Sequence, residues 1–569
     1  MKRKYKVPNH KKVERVYTPV SNISEYIDAL DAHGERIMFE WKENGERREM
    51  SYSEFASLSR DFAKGLQRLF GKDGDRRIAV IGETSPYWVI AYLGTIASGN
   101  VIVPLDKELD PSEMANFFEL ASISAVIYSH TFADVFPKML KGHKSLKTLI
   151  PMESCDASGG KNTVSYNKIL LMGRESGENF TPDTDAEKLR EILFTSGTTG
   201  SSKCVMLCQK NIFSVVTSAC ETVDFCADDV LVSVLPLHHT YELACTLAAS
   251  NYGAKTCIND SLRHVIKNFK EYQPTGLVLV PLFVSTMYKK ILSEAKRSGK
   301  DKILTAAAKV AHYLSFAGID MSEHLFKDVR DAFGGHLEKI ICGGAALDPQ
   351  MIELFDSFGI SIYEGYGITE CSPLVAVTPY YKRKCGSVGT TVPCCETRIE
   401  GVSTNEQGWI TGEIQVKGDN VMLGYMNNEE ANNAAFTDDG WFKTGDIGYK
   451  DDGGYIFITG RQKSVIVLDN GKNVFPEEIE EYLAKIDVIC ESVVVGRRED
   501  DETKLVAVIY PSYQKYPDLS ESEIRTEIQK EITALNKKLP SFKQIHKLEF
   551  RKTEFEKTTT KKIKRHLVK

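Results

Sequence analysis

No run of about eighteen apolar residues occurs anywhere in the 569-residue chain, so no membrane-crossing helix is expected. The basic opening MKRKYKVPNHKKVER lacks the apolar core of a secretory signal, and secretion is not expected either. The 13 cysteines are scattered and contain no CxxC pair. An odd count without metal-ligand spacing argues against a disulfide framework, and reduced cytoplasmic thiols are the expectation. Basic charge is not in excess: 72 Lys and Arg against 78 Asp and Glu leave a net charge of -6, which gives no reason to expect a nucleic-acid partner. The two ends are locally basic; the basic start could contact anionic lipid, although such an end is more often just solvated. No internal repeat or long low-complexity tract is visible. What is present is an ordinary globular composition, 42% hydrophobic and 26% charged, too long for one simple domain and able to bury sizeable cores.

The pattern of elements is α/β. MFEWKENGERREMSY reads as two strands about an Asn44-Gly45 turn, and Ser51 with Glu54 opens a helix whose apolar positions are Phe55, Leu58, Phe62, Leu66 and Leu69. RIAVIG is a buried strand, Ser85 and Pro86 start a helix reaching about Ile96, and VIVPL is the next strand. A helix from about Ser112 and strands AVIYS, TLIPM, LVSVLPL and TGLVLVP continue the alternation, so several doubly wound layers are expected. The polar segment from Cys155 to Asp185 reads as an irregular surface connection. After GRQK the composition changes to a compact last unit.

Chemistry concentrates in ILFTSGTTGSSKCVML, from Ile192 to Leu207. Glycines allow close approach to an anion, Thr195, Ser196, Thr198 and Thr199 offer hydroxyls, and Lys203 adds charge, the makings of a phosphate cradle. Its bland alternative is a flexible linker, which is not normally spliced between two apolar runs. Gly197 and Gly200 have two residues between them, not the four of a Walker A motif. Later, KIICGGAALD places Gly343, Gly344 and Ala345 after a short strand, where a base or an acyl chain can lie against backbone. YEGYGITE follows with Tyr366 as a stacking face, then Gly367, and with Thr369 and Glu370 as hard oxygens. Asp446 reads as a strand-to-turn position whose carboxylate can accept from ribose hydroxyls, and the Arg461 guanidinium suits ribose or phosphate. The adjacent His238 and His239 are not expected to hold a metal, because neighbouring side chains do not generally point the same way and no partner cluster accompanies them in sequence.

TSGTTG with its Lys, PLHHTYE, YEGYGITE, the GD-to-GRQK stretch and the terminal KTTTKKIKR occur in an order that resembles the adenylate-forming superfamily, most like bacterial long-chain fatty acyl-CoA synthetases. Ser202, Cys204, Asn470, Glu556 and Lys561 depart from the usual pattern. The resemblance implies an α/β fold with a large N-terminal domain of layered α/β subdomains (1–460) and a small mobile C-terminal α+β domain (461–569). It implies Lys562, Thr198 and Glu370 as catalytic residues, with Glu370 as the Mg²⁺ ligand. It implies nucleotide contact from Thr195, Ser196, Gly197, Thr199, Gly200, Lys203, Gly344, Ala345, Tyr366, Gly367, Thr369, Asp446 and Arg461. His239, Tyr241, Gly343 and Gly471 fall to the acyl or CoA sites, with Tyr241 and Glu242 gating or lining, and Lys463 is the hinge.

The implied activity is that of an acid–thiol ligase using ATP, Mg²⁺ and CoA. A carboxylic acid, first of all a medium- or long-chain fatty acid, becomes acyl-AMP and then acyl-CoA. An enzyme that stops at the adenylate or delivers to an acyl carrier protein is the rival within the class, and a silent nucleotide-binding protein the rival outside it. Intact Thr198, Glu370, Asp446, Arg461 and Lys562 argue against the silent binder.

Overall fold

The structure is a computed structural model that describes residues 16–72, 74–152, 162–177, 180–195, 203–316, 319, 321–405, 407–469, 473–499, 502–516, 518–557 and 563–568. The chain divides into two compact units, one running up to Thr397 and including Val416–Phe442, the other formed by Arg398–Gln415 and the chain from Lys443 onward.

The larger unit is built on two sheets. The nine-stranded sheet runs in the order Thr390–Thr391, Leu374–Val377, Ser361–Gly367, Lys339–Gly343, Gly276–Leu279, Val230–Ser233, Lys255–Ile258, Ile37–Glu43, Glu46–Ser51. Neighbours from Ser361–Gly367 to Ile37–Glu43 pair in parallel, while Leu374–Val377 pairs antiparallel on both sides. The expected N-terminal hairpin forms one edge of this sheet, with Asn44 and Gly45 both at positive φ, as a tight two-residue turn requires. The seven-stranded sheet has the order Gly424–Tyr425, Lys203–Cys208, Leu189–Thr195, Val101–Pro104, Arg77–Ile81, Ala125–Tyr128, Thr148–Pro151. Val101–Pro104 and Ala125–Tyr128 are buried at every residue, as parallel strands covered on both faces must be.

The helices lie where their caps place them. Ser85 accepts from the Trp88 N–H and Pro86 begins Pro86–Ala97. That helix is buried on nearly every side, because it joins a continuous core with Phe39 of one sheet and Ile78, Val80 and Ile102 of the other. Ser51 caps Tyr52–Phe70 through the Glu54 N–H, and Phe55, Phe62 and Leu66 point into the same core.

One expectation is overturned. The segment from Cys155 to Asp185 contains the helix Tyr166–Arg174, capped by Ser165, which buries Tyr166, Ile169 and Leu170. It lies so close to Tyr52–Phe70 that a Cβ on Gly65 would fall 2.0 Å from the Ile169 carbonyl oxygen. The signal is present in the Ser165 cap and in the i, i+3, i+4 spacing of Tyr166, Ile169 and Leu170, but it is short and set within a polar stretch.

The helix Asp301–Phe316 turns Ala308 and Ala311 inward and leaves Ile303, Val310 and Tyr313 51 to 74% exposed. Lys302 and Lys309 are exposed on the adjoining side of that face. No helix among the described residues is long and apolar enough to cross a membrane.

The smaller unit holds most of a four-stranded sheet, in the order Cys395–Thr404, Ile410–Gly418, Phe442–Lys450, Ile456–Arg461. It also holds a three-stranded sheet of Ile489–Glu499, Glu502–Pro511 and Lys547–Phe550. The helices Pro476–Leu483 and Glu521–Asn536 contribute Ile479, Leu483, Ile524, Ile528 and Ile532 to its separate core with Leu505, Ala507 and Ile509.

Candidate active site

Lys339–Gly343 and Ser361–Gly367 are parallel neighbours, with Gly343 opposite Gly365. The GGAA and EGYG motifs therefore leave the sheet side by side at the carboxyl ends of adjacent strands, where open α/β sheets bind ligands. Tyr366 is buried, whereas Gly344 and Ala345 are exposed. After Gly367 the chain makes a single helical turn, Thr369–Cys371, closed by the Ile368 N–H donating to the Pro373 carbonyl. This turn presents Thr369 and Glu370 half-buried.

Glu370 is held by a residue from far along the chain. The Tyr425 hydroxyl donates to Glu370 Oε1 at 2.8 Å, and the Lys203 ammonium lies 4.2 Å from the centre of the same ring. Burial, reinforced by the Glu370 charge, raises the Tyr425 phenol well above its ordinary range, so it remains a donor. Strand pairing fixes the corner: Tyr425 faces Val205, and the Asn432 side chain bonds both the N–H and the carbonyl of Tyr425. Thr195 and Lys203 are direct cross-strand partners, so the two described ends of the TSGTTG segment stand opposite one another.

Beside Gly343, the Tyr241 hydroxyl donates to the carbonyls of Ile341 (3.0 Å) and Leu279 (3.3 Å). Its ring lies against Gly343, where an added Cβ would meet the ring at 3.3 Å and the Gly365 carbonyl at 3.1 Å. A phenol tied to two strands is suited to lining a site, not to swinging across it. Glu242 is buried and its Oε1 accepts from the Ser233 hydroxyl at 2.5 Å. Desolvation pushes its carboxyl up to about 8.

The two histidines depart from expectation. Their ring centres are 4.1 Å apart, and Asp106, on the loop after Val101–Pro104, brings Oδ2 to 3.4 Å from His238 Nε2. Ligand atoms of Asp106, His238 and His239 all lie within 4.8 Å of one another. Adjacent side chains converge here because Pro236 to His239 forms a turn closed by the His239 N–H, where strand alternation no longer applies.

In the smaller unit, Asp446 lies within the strand Phe442–Lys450, correcting the strand-to-turn expectation that the preceding Gly445 suggested. It pairs in register with Arg461, the last residue of Ile456–Arg461. Arg461 Nε donates to Asp446 Oδ1 at 2.9 Å, the carboxylate buried and the guanidinium half exposed. The Asp446 N–H donates to Thr444 Oγ1, which itself donates to the Ile414 carbonyl.

A model of AMP-binding enzymes matches residues 28–426, and a model of the AMP-binding enzyme C-terminal domain matches 463–569. The chain belongs to the AMP-binding enzyme family. A long-chain-fatty-acid–CoA ligase of Mus musculus is 30% identical over 83% of this chain and 71% of its own length. A chloroplastic long-chain-fatty-acid–[acyl-carrier-protein] ligase of Arabidopsis thaliana is 27% identical over 89% of this chain and 78% of its own. ATP-bound MatB of Rhodopseudomonas palustris superposes with a TM-score of 0.72 at 23% identity, covering 95% of this chain and 98% of that one. The fold is that of the adenylate-forming enzymes.

Within this AMP-binding enzyme, Thr195, Lys203 and Glu370 are brought to one corner, while Gly343 and Tyr366 lie on neighbouring strands. Ser196, Gly197, Thr198, Thr199, Gly200, Gly471 and Lys562 fall outside the described residues. Lys463 sits in the short turn Gln462–Ser464 directly after Arg461. Sequence reasoning missed Tyr425 and Asp106. Tyr425 occupies a two-residue strand with no periodicity to mark it.

Proposed function

We propose that the enzyme activates a medium- or long-chain fatty acid with ATP, forming an acyl-adenylate with release of pyrophosphate, and then transfers the acyl group to CoA with release of AMP. The observation that carries this reading is the corner in which Tyr425 joins Glu370 to Lys203, beside Thr195. It offers a carboxylate and an ammonium where a phosphate-binding loop starts and ends. An acid is a poor electrophile; attack of its oxygen on the α-phosphorus exchanges the pyrophosphate for an acyl group whose AMP leaves readily. Thr198 and the other cradle hydroxyls, with Lys203, hold the outgoing phosphates, and Lys562 offsets charge growing on the α-phosphate. The hard carboxylate oxygens of Glu370 fit Mg²⁺, which when bound adds positive charge against the triphosphate, and Thr369 contacts the α-phosphate. Tyr366 stacks on the base, and Asp446 with Arg461 takes the ribose. His239, Tyr241 and Gly343 line the acyl site, and Gly471 is assigned to CoA.

For the second step the thiol loses its proton, attacks the acyl carbon and expels AMP. We place the pivot between the two half-reactions at Lys463. Lys463→Pro should slow thioester formation by at least about tenfold and leave adenylation largely intact; equal loss in both steps would remove the pivot from this position. The relatives named for long-chain fatty acids support the acid, and the Arabidopsis relative gives specific support to a second acceptor, acyl carrier protein. Peripheral contact with anionic lipid is proposed through the basic opening MKRKYKVPNHKKVER.

Mass spectrometry of products from the purified protein, ATP, Mg²⁺ and a panel of acids, with CoA or acyl carrier protein, tests the reading. Acyl-CoA plus AMP from a straight-chain acid is the expected result. Acyl-AMP alone, or acyl carrier protein as the acceptor, moves the second step; no nucleotide turnover with any acid overturns the proposal.

A further inference from the structure

We propose that Asp106, His238 and His239 form a binding site for a divalent transition-metal ion of the Zn²⁺ class, separate from the Mg²⁺ position at Glu370. Among the described residues they are the one group of three such side chains whose ligand atoms all come within 4.8 Å. Two imidazoles and one carboxylate make a nitrogen-rich donor set that suits Zn²⁺, Co²⁺ or Ni²⁺ and disfavours Mg²⁺ and Ca²⁺, which take oxygen ligands.

The geometry favours an ion over a simple Asp–His contact. His238 Nε2 is a buried atom with no hydrogen-bond partner, although a carboxylate oxygen stands 3.4 Å away. That separation is long for a charge-assisted hydrogen bond. It matches one edge of a tetrahedron whose centre-to-ligand bonds are about 2.0–2.1 Å, roughly 3.3–3.4 Å; the three ligand atoms lie within 4.8 Å of one another, so the imidazoles close in as the ion binds. Asp106 is oriented for this role: Oδ1 accepts from the Glu108 N–H at 2.8 Å, which leaves Oδ2 towards His238. A hydrogen bond to one carboxylate oxygen that fixes the direction of the other is the usual support behind a metal ligand. The backbone holds the histidines too, since the His239 N–H closes a turn onto Pro236 and its carbonyl accepts from Leu243. Three protein ligands leave a fourth position open to water.

One consequence rests on the proposed function. Because His239 is assigned there to the acyl site, an ion bound to it should oppose binding of the acid.

The full-length protein, stripped with a chelator and then titrated with Co²⁺ in the presence of excess Mg²⁺, gives the direct test. The expected result is one Co²⁺ per chain with the strong visible absorption of four- or five-coordinate Co²⁺, displaced by Zn²⁺, and without the near-ultraviolet band of thiolate ligation. Asp106→Asn and His238→Gln should each weaken binding by at least about tenfold, with unchanged circular dichroism confirming the fold. Weak octahedral absorption only, or undiminished binding in both folded variants, would overturn the site. Steady-state inhibition separates the two claims. Zn²⁺ that competes with the acid supports both, whereas one-to-one binding without competition keeps the metal site and removes His239 from the acyl pocket.

Discussion

The Tyr425 hydroxyl donates to Glu370 Oε1 at 2.8 Å, and its ring lies 4.2 Å from the Lys203 ammonium. One side chain thus orients the proposed metal-binding carboxylate with its tip and the cradle cation with its face, uses that suit the amphipathic character of tyrosine.

Tyr425→Phe keeps the ring under Lys203 and removes only the hydrogen bond. Loss of a bond to a charged acceptor of this kind costs about 1.5 kcal/mol, or roughly tenfold. ATP–pyrophosphate exchange should fall by that factor, with a higher Mg²⁺ concentration needed for half-maximal rate. An unchanged Mg²⁺ dependence would mean that the bond does not orient Glu370 for the metal.

The Asp446–Arg461 pair yields a second expectation. Asp446→Asn keeps the size of the buried side chain and forfeits charge-assisted bonds to ribose, so KM for ATP should rise on the order of a hundredfold. Arg461 is half exposed, so its pair with Asp446 adds little to stability, and the melting temperature should shift only slightly. A large drop in melting temperature with unaltered KM would make Asp446 a structural residue.

Elsewhere, titration affects stability. Burial pushes Glu242 and Glu191 up to about 8 from an ordinary 4.5. Between those values each is protonated in the fold and ionised in the unfolded chain. The folded state binds more protons there, so stability is greatest on the acid side and falls as pH rises, by about 1.4 kcal/mol per pH unit for each group. Glu242→Gln should flatten the decline in denaturant midpoint across this window. An equally steep decline in the variant would show that Glu242 is not its source.

Gly343→Ala would place a methyl 3.1 Å from the Gly365 carbonyl and 3.3 Å from the Tyr241 ring. The strand is paired on both sides, so the ring must give way. Rates with the longest acids should fall most, while KM for ATP stays within about twofold. Uniform loss across chain lengths would place Gly343 away from the acyl site.

Sequence pattern reached the parts of this fold that are specified locally. Asn44-Gly45, Ser51 with Glu54, and Ser85-Pro86 each act within one turn, and the elements they start lie where expected. Relationships made by distant strands were not legible: nothing near Glu370 points to Tyr425, and nothing near His238 points to Asp106. Local signals also misled. Gly445 suggests a turn and does take a left-handed backbone, but within the strand Phe442–Lys450, where its N–H donates to the Glu413 side chain. Adjacent histidines suggest divergence but share a turn.

The pairing of Gly424–Tyr425 with Lys203–Cys208 also bears on how the molecule is made. These segments lie roughly two hundred residues apart, so their contact has the high loop-closure cost of distant pairings and forms slowly. During synthesis, Lys203 emerges with its own hairpin partner, while the ring it will rest over has not yet been translated. The corner proposed to handle ATP is therefore expected to be among the last parts of the larger unit to assemble, and a chain arrested before Tyr425 would lack it even with both large sheets mostly complete.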